Sequence, residues 1–152
     1  MTLEIVPATF DQAMALRPEG LDEGQYRGWM TGHFQQGPVW AGVTEGGALV
    51  GCSGLSFLWP GVAMGWAIFD PPALRNYRLT VIRTYRAWIP ELMRQHGIQR
   101  LHTHVYDDQV LIRWIEVLGF KREGLMRKYG PGGQDCWMCS IIRGGYDGSV
   151  DT

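Results

Sequence analysis

The sequence predicts a mixed α/β (α+β) chain, and three observations carry that prediction. The first lies in the C-terminal third, where Leu101, Thr103 and Val105 alternate with His102, His104 and Tyr106 and a helical pattern follows at once. In that pattern Leu111, Trp114, Ile115 and Leu118 fall at i, i+3, i+4 and i+7, which sets one apolar stripe on a helix that Gly119 ends. The second is a pair of β-rich runs, Val39 to Thr44 and Ala48 to Leu58, joined at Glu45-Gly46-Gly47, glycines suited to the positive backbone angles of a tight hairpin. The third is the long recurrence of Val81, Ile82, Tyr85, Trp88, Ile89, Leu92 and Met93 at spacings of three and four.

Taken in order, Leu3 and Ile5 open a first strand, and Phe10 to Leu16 form a short helix closed by Arg17-Pro18-Glu19-Gly20. From Leu21 to Phe34, the residues Tyr26, Trp29, Met30 and His33 make a helical face that Gly24, Gly28 and Gly32 weaken. The central hairpin comes next, then a turn at Trp59-Pro60-Gly61. Val62 to Phe69 is a nearly continuous apolar run, as expected of a strand covered on both faces. In the long helix Pro90 removes one backbone hydrogen bond and is expected to kink or split it near Arg86, with Gly97 at its end. Asp107 and Asp108 stand where either can cap the helix after the fifth strand. The last hairpin turns at Gly130-Pro131-Gly132-Gly133 into a strand from Asp135 to Ile142. The order is therefore β-α-α-β-β-β-α-β-α-β-β.

With 152 residues and 45% hydrophobic content, the chain fits one globular domain over residues 1–143, followed by a flexible tail over 144–152. Lys+Arg 14 against Asp+Glu 15 gives a formal charge of -1, so no overall field draws it to nucleic acid or an anionic membrane. The opening MTLEIVPATF lacks a basic segment followed by an apolar core, and no apolar run approaches the ~20 residues of a membrane span. The expected location is cytoplasmic. Cys136 and Cys139 have the outline of a redox or zinc CxxC, but residues three apart on a strand point to opposite faces, which favours packed core thiols and no metal.

The phrases WIEVLGFKREGLMRKYG and DCWMCSIIR resemble the C-terminal half of the GNAT N-acyltransferase superfamily, most of all its ribosomal-protein and small-molecule N-acetyltransferase branch. The element order is also the one that fold uses. The resemblance implies a mixed, mostly antiparallel sheet of about seven strands with helices on both faces and splayed fourth and fifth strands. It implies acetyl-CoA as co-substrate, lying in the splay, and a small-molecule or peptide amine as acceptor. It further implies pantetheine pairing with fourth-strand backbone, here Trp66 to Asp70 and chiefly Ala67, Ile68 and Phe69. The pyrophosphate is then expected at a helix N-terminus, where unpaired N–H groups favour an anion. The corresponding residues read Arg75-Asn76-Tyr77-Arg78-Leu79-Thr80; Arg75 matches the family pattern, while Arg78 and Thr80 replace its small residues. Two readings stay open: the arginines meet the phosphates, or they are solvated surface beside a loop that no longer binds CoA.

The family's helical Tyr is replaced by Ile115, and its Asn and Ser by Asp108 and Leu111. The candidates left for proton handling are Tyr106 as donor, Asp108 as holder of a CoA amide or a water, and His104 with His102 as a water-mediated base. Each has a plainer alternative: half-buried packing, a helix cap, and structural histidines. Met64 and Trp66 read as core or acyl-pocket walls, and Tyr26, Trp29, His33, Trp40 and Tyr129 as core or acceptor groove. A bulge explains the Gly of Glu123-Gly124 without a ligand. The leading expectation is an N-acetyltransferase acting on a primary amine. The rival is a GNAT-like binding or structural module without turnover, such as a virion component. Sheet edges in this fold often pair between subunits, so a homodimer is compatible with either.

Overall fold

A computed structural model describes residues 2–143. The elements are β1 (Leu3–Pro7), α1 (Phe10–Met14), α2 (Glu23–Gln36), β2 (Val39–Thr44), β3 (Leu49–Trp59), β4 (Val62–Phe69), α3 (Pro71–Gln95), β5 (Arg100–Tyr106), α4 (Gln109–Val117), β6 (Lys121–Met126) and β7 (Cys136–Ile142). This is the expected order. The strands make a seven-stranded mixed sheet, β1-β2-β3-β4-β5-β7-β6, in which β4 and β5 run parallel and the other described pairs run antiparallel. No helix among the described residues is long and apolar enough to cross a membrane. The expected tail, 144–152, lies outside the described residues. The chain divides into two compact units, one built on the chain up to Phe57 with Gly65–Thr84, the other on Leu58–Met64 and the chain from Tyr85.

In the first unit, α1 begins with a reciprocal cap in which the Gln12 N–H donates to Thr9 Oγ1 at 3.1 Å and the Thr9 N–H to Gln12 Oε1 at 2.8 Å. Asp22 caps α2 by accepting from the Gln25 N–H at 3.0 Å. The glycines of α2 lower its intrinsic propensity, and packing supplies what they remove. Tyr26 is buried and donates its hydroxyl to the Ala13 carbonyl at 2.7 Å, and Met30 is fully enclosed. The hairpin between β2 and β3 turns at Gly47, φ 86°, with its N–H on the Thr44 carbonyl.

The start of α3 departs from expectation. Residues 75–80 do not form an open loop: α3 begins at Pro71, and Asp70 caps it by accepting from the Ala73 N–H at 3.1 Å. The helix breaks at Tyr77, whose φ of -117° and ψ of 18° are not helical. The break expected near Arg86 is absent, and Pro90 sits within continuous helical torsions. A proline late in a long helix loses only one hydrogen bond, and buried Ile89, Leu92 and Met93 hold the segment in register.

In the second unit, β5 pairs with β7 along its whole length, from Arg100–Ile142 to Tyr106–Cys136. Helix α4 buries Ile112, Ile115 and Leu118, while Leu111 is 40% exposed. The expected stripe changes only at its first position, where Ile112 takes the inner face in place of Leu111, since the periodicity alone admits both. Burial of side chains this size stabilises by roughly 1.5–3 kcal/mol each. Cys136 and Cys139 are buried free thiols at opposite-face positions of β7, and burial raises the pKa of both. Among the described residues, no cluster of His, Cys, Asp and Glu could hold a metal ion.

Candidate active site

The parallel register of β4 with β5 covers Val62–Met64 against Arg100–His102, whereas β4 runs on to Phe69 and β5 to Tyr106. In the first unit it leaves the later residues of β4, with Ala67 exposed and Ile68 and Phe69 half-buried, leading directly through Asp70 into α3. Arg75, Asn76, Arg78 and Leu79 are exposed, and Tyr77 and Thr80 are half-buried. Two arginines therefore flank the point at which helical torsions are interrupted. Neither is engaged in an ion pair among the described residues.

On the same unit, His33 of α2 is 5% exposed and shares a hydrogen bond with Ser56 of β3, Nδ1 to Oγ 3.2 Å. Its ring lies 4.2 Å from that of Trp29 at 80° and 4.7 Å from that of Trp66 at 35°. Burial lowers its pKa, so the imidazole is neutral near pH 7. Trp66 packs so closely on β3 that a Cβ added at Gly54 would stand 2.5 Å from the indole, and its Nε1 has no partner among the described residues. Sequence reasoning placed His33 on the apolar face of α2 but missed Ser56. A serine inside a strand gives no signal of the histidine that packs across from it.

In the second unit, His104, Tyr106 and Asp108 follow one another at the end of β5. His104 and Tyr106 are exposed, and His104 meets the Tyr129 ring edge-on at 4.9 Å. Desolvation lowers the pKa of His104. Asp108 is the N-cap of α4, its Oδ1 accepting from the Val110 N–H at 2.8 Å, while Asp107 accepts from Trp137 Nε1 at 2.9 Å. The two aspartates that sequence left equivalent thus have separate tasks.

Behind them, a bulge in β6 falls between Arg122 and Gly124. Glu123 at the bulge takes both Arg100 guanidinium N–H groups at 2.8 Å and the Ser140 hydroxyl. The Arg100 hydrogen bonds, then that of Ser140, hold its carboxyl down at about 2. Glu123 is therefore committed to structure, and the bulge accounts for the glycine that follows. His102 beside it has a lowered pKa from burial and the Arg100 charge, and its Nδ1 is buried without a partner among the described residues. The structure brings the expected residues into two sets: 67–69 with 75–80, and His104 with Tyr106 and Asp108.

No family model and no curated protein matches the sequence. Solved structures do match. An acetyltransferase of the GNAT family from Bacillus anthracis aligns with TM-score 0.68 at 17% identity, covering 93% of this chain and 95% of that one. A spermidine N-acetyltransferase SpeG variant from Vibrio cholerae aligns with TM-score 0.75 at 13% identity over 95% and 96%. The dodecameric spermidine N-acetyltransferase from the same organism gives 0.70 at 14% over 97% and 98%. At such identities the shared property is the backbone arrangement. The chain has the fold of the GNAT-family acetyltransferases.

Proposed function

We propose that the protein is an N-acetyltransferase that moves acetyl from acetyl-CoA to a primary amine. The observation that carries this reading is the short β4–β5 register, which leaves the later backbone of β4 without β5 pairing. Backbone amides of Ala67, Ile68 and Phe69 are suited to pair with those of pantetheine and to polarise the thioester carbonyl. Arg75 and Arg78, exposed on either side of the Tyr77 break, would meet the pyrophosphate by charge-assisted hydrogen bonds. The N–H groups of Leu79 and Thr80, at the resumption of the helix, assist them. Positioning and polarisation supply most of the acceleration, and no covalent enzyme intermediate is required. On the second unit the Tyr106 phenol is the candidate donor to the departing thiolate. His104, kept neutral, is a candidate base acting through water, and the second oxygen of Asp108 can hold a CoA amide or a water.

The test is calorimetric titration with acetyl-CoA, followed by thiol release with a panel of primary amines that begins with spermidine, after the spermidine N-acetyltransferases of Vibrio cholerae. Saturable binding is expected, and Arg75→Ala with Arg78→Ala should weaken it roughly tenfold or more. Unchanged affinity in the double variant would show that the phosphates lie elsewhere. One observation favours the rival binding module: residues 75–80 lie in helix without a glycine, so their backbone is less open to a phosphate. No heat of binding with millimolar acetyl-CoA would decide for that module.

A further inference from the structure

The reaction requires a free amine, yet a primary amine is an ammonium at neutral pH, so some group must accept a proton before attack. The strand preceding the cofactor residues, β4, carries no carboxylate. What it carries is Trp66, directly before Ala67, and against Trp66 stands His33. We propose that His33, held by Ser56 and walled by Trp29 and Trp66, rather than the exposed His104, is the general base that deprotonates the acceptor ammonium. This rests on the transferase reading and deepens it.

Three features of the first unit fit the role. The Nδ1–Ser56 hydrogen bond occupies one ring nitrogen, and a proton on Nδ1 leaves Nε2 with the basic lone pair. The group facing the imidazole from β3 is the Ser56 hydroxyl, from β4 the Trp66 indole, and on its own helix the Trp29 indole; none of these carries a charge. Trp29 is 46% exposed, so one of the two rings against His33 is open to solvent, and the acceptor would reach the imidazole past that side chain.

The step balances without a further reagent. Nε2 takes one proton from R–NH3+, and the imidazolium donates through Nδ1–H to Ser56. The amine lone pair forms the C–N bond to the acetyl carbon, the C–S bond breaks, and the second amine proton ends on the CoA sulfur. His33 then returns its proton to water. The aromatic walls point to an acceptor whose amine is borne on an apolar or aromatic stem, because the further charges of a polycation would find no carboxylate among the groups facing His33.

The experiment uses 2-phenylethylamine and spermidine as acceptors, thiol release from pH 5.5 to 9, and calorimetry with acetyl-CoA on each variant. His33→Gln, which can keep the bond to Ser56, should lower kcat about 100-fold at neutral pH with acetyl-CoA affinity unchanged. The wild-type profile should fall on an acid limb below the ordinary histidine value of 6.5, and the variant should lose that limb. Millimolar imidazole should restore part of the rate to His33→Ala. In the wild-type protein, 2-phenylethylamine should shift the His33 ring-nitrogen resonances. A kcat within threefold of wild type, or an acid limb that persists in His33→Gln, would overturn the assignment and leave the transferase reading standing. Acetyl-CoA binding without turnover of either amine would also overturn it. Failure of the wild-type protein to bind acetyl-CoA would instead remove the reading on which it depends.

Discussion

At the scale of the residue, Glu123 shows how a side chain near a presumed site can be fully spent on structure. Its carboxylate is taken by Arg100 and Ser140, and its pKa of about 2 lies below the ordinary 4.5. The native state therefore holds fewer protons than the unfolded chain. The stabilisation is complete above pH 4.5 and disappears as pH falls toward 2. Glu123→Gln should cost about 1–2 kcal/mol at pH 7, after allowance for screening of a partly exposed group. Urea midpoints across pH 2 to 7 check this, and parallel slopes for wild type and variant would show that the pair does not form. Gly54 offers a second test. An added methyl would stand 2.5 Å from a buried indole flanked by His33 and Trp29. Gly54→Ala should destabilise by about 1–3 kcal/mol through overpacking, whereas Gly28→Ala, with open space around it, should be neutral or stabilising.

At the scale of the element, two helix starts decide how the site is read. Helix α4 starts on Asp108, and the cap explains that residue without any chemistry. Asp108→Ala should cost about 1 kcal/mol in thermal or chemical unfolding, while Asp108→Asn, an equally good cap, should not. If the carboxylate also serves transfer, the Asn variant keeps its stability and loses turnover; an Asn variant that keeps both would confine Asp108 to capping. Helix α3 carries the larger surprise. Its first turns are helical and capped by Asp70, and the torsions are interrupted at Tyr77, where an open loop was expected. The sequence could not announce this, since Arg75 to Thr80 contains no Pro or Gly to punctuate it and local propensity allows either state.

At the scale of the whole molecule, ligand binding should appear as added stability. Acetyl-CoA at a hundred times its dissociation constant stabilises by about 2.7 kcal/mol, which for a chain of this size raises Tm by roughly 5–10 °C. Differential scanning fluorimetry with acetyl-CoA and with free acetate separates specific binding from solute effects. An equal response to both would count against a CoA site.

The order of strands and helices, the hairpin turns and the opposite-face placement of Cys136 and Cys139 were all readable from the chain alone. They depend on periodicity, turn residues and face alternation, which are local properties. So was the list of candidate residues, because a resemblance in LGF and EG phrases points to positions. What tertiary structure alone decided is which side chains are already spoken for. Glu123 is taken by Arg100 and His33 is oriented by Ser56, and in both cases the partner comes from another segment of the chain. It also decided that Ile112 faces inward where Leu111 does not, since neighbouring apolar residues on one helix differ only in what packs against them. Local spacing sets what a residue is able to do, and only packing between distant segments determines whether it remains free to do it.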